Sequence, residues 1–178
     1  MKENQYLLVK DSTGEVIDKY CFQNGELRQV MYHKLGGTYT GAIKPRNSQQ
    51  ACLFDMLKDK TSKIKLVTGR FGSGKTLAMT TAALELIERG KFDKIIWVRN
   101  NVSVKDAPEI GFLPGTEIDK LMPYVMPLAD HAGGTDGIKK MLENGTLEII
   151  PLGHLRGRSL RNSIVFCTEC ENLTRQHI

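Results

Sequence analysis

The residues whose types and spacing point most directly to chemistry are Gly69, Arg70, Phe71, Gly72, Ser73, Gly74, Lys75 and Thr76, which fit the pattern G-x-x-x-x-G-K-[ST]. Glycines at these intervals let the backbone curl so that successive N–H groups turn inward. A helix starting at the end of the run adds its positive end, and the two together cradle phosphate oxygens. In such a loop Lys75 can reach the β- and γ-phosphates of a nucleotide, while the Thr76 hydroxyl can hold Mg²⁺. The competing reading is an ordinary glycine-rich turn. The flanking pattern favours phosphate binding, because the apolar run Ile64 to Val67 precedes the motif and a long helical run follows it.

The second half of a nucleotide-hydrolysing site of this kind is an apolar strand that ends in acidic residues. Ile164 to Cys167 is such a run, and Thr168 and Glu169 follow it. A basic stretch lies just upstream: Arg156, Arg158 and Arg161, with no acidic residue between Pro151 and Ser163. It is compatible with a phosphate sensor, a nucleic-acid backbone contact or a solvated basic loop, and charge alone does not choose among them. Lys44 to Lys75 holds eight basic residues against Asp55 and Asp59, a net of +6, and is the most basic region of the chain.

The elements that must position these residues follow from periodicity. Tyr6 to Val9 and Val16 to Phe22, separated by Ser12-Thr13-Gly14 and followed by Asn24-Gly25, read as short antiparallel strands joined by tight turns. Gly36-Gly37 and Lys44-Pro45-Arg46 read as a linker, which places a boundary near residue 42: a small β-rich appendage over 1–42 and the main domain over 43–178. An appendage of about 40 residues is near the lower limit for folding alone. Beyond the boundary, helix and strand alternate. Ala51 to Leu57 and Lys75 to Arg89 read as helices, the second stopped by Gly90. Ile64 to Val67, Ile95 to Val98, Leu147 to Ile150 and Ile164 to Cys167 read as strands. Glu117 to Ala129, bent or broken by Pro123 and Pro127, and Ile138 to Asn144 read as further helices, and another begins around Leu173. Strands separated by helices specify an α/β fold with a parallel sheet.

Composition bounds the rest. The chain has 178 residues, 40% hydrophobic and 25% charged, with a formal charge of +5, which excludes wholesale disorder and permits a phosphate-rich partner without requiring one. No stretch is apolar enough to cross a bilayer and the polar start carries no signal-peptide core, so no membrane association and a cytoplasmic location are expected. Cys167 and Cys170 form one C-x-x-C pair without a second pair at zinc-site spacing, and Cys21 and Cys52 stand apart; all four read as incidental or buried thiols. The scattered His33, His131, His154 and His177 read as none of them metal ligands, and Trp97 as a core residue.

From Ile43 onward the chain resembles the PhoH-like ATPase family. The resemblance rests on Ile43-Lys44-Pro45-Arg46-Asn47-Ser48-Gln49-Gln50, on the phosphate loop, and on Ile110-Gly111-Phe112-Leu113-Pro114-Gly115. It continues through Leu121 to Pro127, Leu155 to Leu160 and Glu169 to Thr174. It implies a P-loop NTPase of the RecA/helicase-like kind, a three-layer fold around a parallel sheet, cytoplasmic and associated with RNA metabolism. Its cofactors would be ATP and Mg²⁺, its partners single-stranded RNA and further copies in a homo-oligomer. The resemblance also assigns residues. Gln50 would read adenine through its amide, where it would otherwise be a solvated glutamine at a helix start. Lys75 and Glu169 would be catalytic, Glu169 positioning water. Thr168 stands where the family has the metal-side aspartate, and Glu171 where it has glutamine, so binding without turnover is the alternative to ATP hydrolysis. Arg156 and Arg158 would contact phosphate or RNA. The first forty residues resemble the stretch that follows a PIN nuclease domain in longer members. The family sheet also places a further strand after the acidic pair, between the P-loop strand and the acidic strand, so with Ile178 as the last residue the expectation is a sheet incomplete at its C-terminal side.

Overall fold

The computed structural model describes residues 1–31, 34–38, 41–99, 117–168 and 170. The chain divides into two compact units, Met1–Gly37 with Gly41–Ala82, and Thr38–Thr40 with Ala83–Ile178. This division falls inside the helix that begins at Lys75.

In the first unit, Gln5–Lys10 (β1), Val16–Gln23 (β2) and Glu26–Gln29 (β3) form an antiparallel sheet in that order. The Asp11 carboxylate closes the first turn by accepting from the N–H groups of Thr13 and Glu15. Asn24 and Gly25, with φ of 54° and 83°, form the two-residue hairpin between β2 and β3. Both residues at positive φ is the type I′ geometry that matches strand twist. Leu35–Gly37 (β4) and Gly41–Ile43 (β5) pair antiparallel. Gly36-Gly37 is therefore a strand and not the linker its composition suggested. The reason is burial: Leu35 is fully buried and packs with Phe54, Ala78 and Ala82, so this stretch is pinned to a core.

Ser48–Lys58 (α1) and Lys75–Glu88 (α2) supply that core, with Ile43, Leu53 and Leu57 packed against it. Asn47 caps α1, its side chain accepting from the Gln50 N–H at 2.8 Å. In the second unit α2 ends at a Schellman-type stop, where Gly90 donates to the Ile87 carbonyl and Lys91 to that of Leu86.

The second unit is built on a parallel three-stranded sheet, Lys94–Arg99 (β6), Leu147–Pro151 (β7) and Ser163–Cys167 (β8), in the order β7-β6-β8. Parallel neighbours need a crossover, and Glu117–Ala129 (α3) and Gly134–Glu143 (α4) lie between β6 and β7 in sequence. α3 runs through both Pro123 and Pro127 as one helix. Ile95, Ile96, Trp97 and Val98 of β6 are all buried, as expected for a central strand covered on both faces. On one face Ile96, Val98 and Ile150 pack with Leu152, Leu155 and Leu160. On the other, Trp97 and Phe166 are register partners with rings stacked 4.6 Å apart. Trp97 packs the core as its setting suggested.

The run Ile64 to Val67 differs from expectation. It forms no strand, pairs with no strand among the described residues, and leaves Ile64 91% and Leu66 74% exposed. Apolar, β-branched content makes a run suitable for a sheet, but a strand exists only where a neighbour completes the backbone hydrogen bonds. The helix expected around Leu173 and the loop expected over Asp106 to Gly115 lie outside the described residues. None of the described helices is long and apolar enough to cross a membrane.

The Trp97–Phe166 stack ties β6 to β8, so Phe166→Ala should cost about 3–5 kcal/mol, a large share of the ~5–15 kcal/mol typical of a domain. Urea unfolding followed by fluorescence of Trp97, the sole tryptophan, measures it; a loss below about 1 kcal/mol would show that the stack does not hold the sheet.

Candidate functional site

The phosphate-loop residues occupy one place, the turn that leads into α2. Gly72 and Gly74 have φ of 71° and 83°, a backbone region that residues with a Cβ rarely enter. These two glycines let the chain coil through 69–74 and start α2 at Lys75 within so few residues. The first turn of α2 contains no acidic residue, so its N-terminal N–H groups present an uncompensated positive end.

Lys75 folds over this turn. Its ammonium donates to the carbonyls of Gly69 at 2.8 Å and Arg70 at 2.9 Å, and lies 6.0 Å from the centre of the Phe71 ring. The Phe71 ring itself is 99% exposed. Thr76 is the second residue of α2 and is half-buried.

Gln50 is brought to the same place. Its Nε2 donates to the Ser73 carbonyl at 3.1 Å, and its Oε1 accepts from the Arg46 N–H at 2.7 Å. A Cβ on Gly74 would lie 3.6 Å from the same Nε2, so the amide rests against the last glycine of the loop. A primary amide has a second donor hydrogen and a second acceptor lone pair, so both functions remain available after these two bonds. The spacing Asn47-x-x-Gln50 is close to a capping box, and that is the sequence signal that places this side chain at the third position of α1.

The fit to a polyphosphate rests on this geometry: positive-φ glycines, a helix start without acids, and an ammonium whose carbonyl acceptors can be exchanged for phosphate oxygens. For a divalent cation the loop offers hydroxyl oxygens, of which that of Thr76 stands at the motif's metal-side position. Among the described residues no group of three or more His, Cys, Asp or Glu side chains is placed to hold a metal ion.

The remaining candidates belong to the second unit. Thr168 follows β8 and is half-buried; Glu169 lies outside the described residues. Arg158 pairs with Glu148 on β7, whose other carboxylate oxygen takes Lys94 at 2.7 Å. The Lys94 hydrogen bond, joined by that of Arg158 and opposed by burial, holds the Glu148 carboxyl below the usual carboxylate range. Arg158 is thus committed to an ion pair although, like Arg156 and Arg161, it is exposed. All four cysteines are free thiols, Cys21 buried and the others half-buried. Burial, helped by a hydrogen bond with Cys170, pushes the Cys167 thiol up to about 11.

Loop, helices and parallel sheet together define an α/β protein with a phosphate-loop motif. The family described as PhoH-like protein matches residues 42–178, and the chain belongs to it. Similar curated proteins include Protein PhoH2 of Thermobispora bispora, 36% identical over 137 residues, which covers 75% of this chain and 31% of the relative. Protein PhoH2 of Bacillus subtilis is 27% identical over 178 residues, covering 96% of this chain and 37% of its own length. A PhoH-like protein of Bacillus subtilis is 36% identical over 109 residues, 60% of this chain and 34% of the relative. The chain thus spans about a third of the length of these relatives.

Lys75→Ala removes the ammonium and its charge-assisted hydrogen bonds. Affinity for a nucleoside triphosphate should fall about tenfold to a hundredfold, the range set by ~1.5–3 kcal/mol for hydrogen bonds to charged groups. Calorimetric titration of wild type and variant checks it, and equal affinities would remove the loop from the binding site.

Proposed function

We propose that this chain binds ATP with Mg²⁺ and hydrolyses it, in the cytoplasm and in the service of RNA metabolism, on a RecA/helicase-like core. The observation that carries this reading is the loop at the start of α2, where Lys75, the positive-φ glycines and Gln50 converge.

In this reading Gly69, Arg70, Phe71, Gly72, Ser73 and Gly74 wrap the phosphates with backbone N–H groups. Lys75 exchanges its carbonyl acceptors for β- and γ-phosphate oxygens, and the spare donor and acceptor of Gln50 read the adenine edge. The Thr76 hydroxyl would hold Mg²⁺, which when bound would neutralise phosphate charge. Glu169 orients a water for in-line attack on the γ-phosphorus. The bond from that phosphorus to the β-bridging oxygen breaks, and ADP and inorganic phosphate leave. Thr168 is neutral where the family places an aspartate, so Mg²⁺ would be held without that carboxylate and turnover would be slow. Exposed Arg156 is available to an RNA backbone; Arg158 is available only by leaving Glu148.

The test is Mg²⁺-dependent phosphate release by the purified chain, with and without single-stranded RNA, and with Glu169→Gln as control. Turnover that disappears in the control and rises with RNA is expected; ATP binding with no release in any condition would make the chain a nucleotide-binding module. Thr168→Asp restores the missing charge and should tighten Mg²⁺-dependent ATP binding by about tenfold, the size of one charge-assisted contact. No gain would place Thr168 away from the metal.

A further inference from the structure

The three strands of the N-terminal sheet aim one row of side chains at a single carboxylate. Tyr6 on β1, Cys21 on β2 and Arg28 on β3 are register partners, so they stand side by side on one face. Asp55 of α1 is buried to 3% exposure, and Arg28 grips it with both arms of its guanidinium, at 3.0 Å to Oδ1 and 2.8 Å to Oδ2. Tyr6 donates its hydroxyl to Oδ2 at 2.8 Å. A planar two-armed pair fixes orientation as well as distance. α1 is thereby held to the sheet at Asp55, while at its other end Gln50 donates to the Ser73 carbonyl and lies against Gly74. All of these residues belong to the first compact unit.

We propose that Asp55, Arg28 and Tyr6 are positioning residues for the phosphate loop: the N-terminal sheet holds α1 in place, and α1 holds the loop through Gln50. The sheet is therefore a working part of the nucleotide site. The consequence for ATP rests on the function proposed above; the coupling itself does not, because it can be read on the loop without nucleotide.

The experiment is amide hydrogen exchange on the full chain without nucleotide, comparing Gly69 to Thr76 across variants, with β6 to β8 as internal standard. Removing Asp55 would delete the acceptor of both donors at once and blur their contributions, so the variants are Tyr6→Phe, which deletes one hydrogen bond, and Arg28→Lys, which keeps the charge but loses the fork. Gln50→Ala cuts the last link. Loop exchange should quicken about fivefold in Gln50→Ala, the ratio one net hydrogen bond sustains, and measurably in the other two, with the β6–β8 standard unmoved. In the double variant Arg28→Lys with Gln50→Ala, exchange should be no faster than in Gln50→Ala alone, because the two act in series. A loop that is unchanged in Arg28→Lys and Tyr6→Phe, or in Gln50→Ala, overturns the proposal, as do effects that multiply in the double variant. ATP titration of the same proteins separates the two claims: a wild type that binds no ATP sinks the proposed function and leaves the exchange result standing.

Discussion

A carboxylate removed from water has to be matched by donors in fixed directions, and the first unit is organised around that requirement at Asp55. The requirement is one-sided: Asp55 is buried while the Arg28 side chain is 42% exposed, so losing a donor leaves the carboxylate short of partners, whereas losing the carboxylate would leave Arg28 in reach of water. It is met only while β1 and β3 stay in register and α1 stays at its present angle, because Tyr6 and Arg28 come from different strands. Burial, together with the hydrogen bond it donates to Asp55, raises the Tyr6 hydroxyl far above its ordinary range, and the Asp55 bond does the same for the Arg28 guanidinium. The apolar packing of Leu35, Phe54, Ala78 and Ala82 then holds α1 against α2 without any directional demand of its own. Direction comes from the polar row and cohesion from the core.

The second unit solves a different problem. The middle of its central strand is apolar on both faces, with Ile95 to Val98 all buried. Stability there comes from area, with the Trp97–Phe166 stack adding shape. The one charged residue pointing from β7, Glu148, is satisfied at the sheet margin by Lys94 and Arg158. That pairing ties Arg158 of the basic loop after β7 to the sheet, while Arg156 and Arg161 of the same loop stay exposed.

Local rules made most of this legible in the sequence. Alternation marks β1 and β2, Asn24-Gly25 marks a hairpin, Gly90 marks the end of α2, and apolar runs, interrupted in β7 by Glu148, mark β6 to β8. The phosphate loop was visible because its chemistry is written in eight consecutive residues. Gln50 was visible as a candidate, but its bond to the loop carbonyl was not, since nothing local brings residue 50 to residue 73. The Asp55 row was hidden for the same reason: Tyr6, Cys21 and Arg28 become neighbours only once two hairpins fix the register. Ile64 to Val67 shows the opposite failure, where local propensity was clear and the partner strand that would express it is not among the described elements.

The ammonium of Lys75 is already engaged by two carbonyls of its own loop. These internal bonds have a kinetic meaning. A loop stitched in this way has surrendered much of its conformational freedom before any anion arrives, so less ordering remains to be done at the encounter. The exchange of two neutral acceptors for anionic ones is then a local swing of one side chain and not a refolding of the turn. Capture should accordingly behave as a fast, nearly rigid docking event, with the strength of binding expressed chiefly in how slowly the anion leaves.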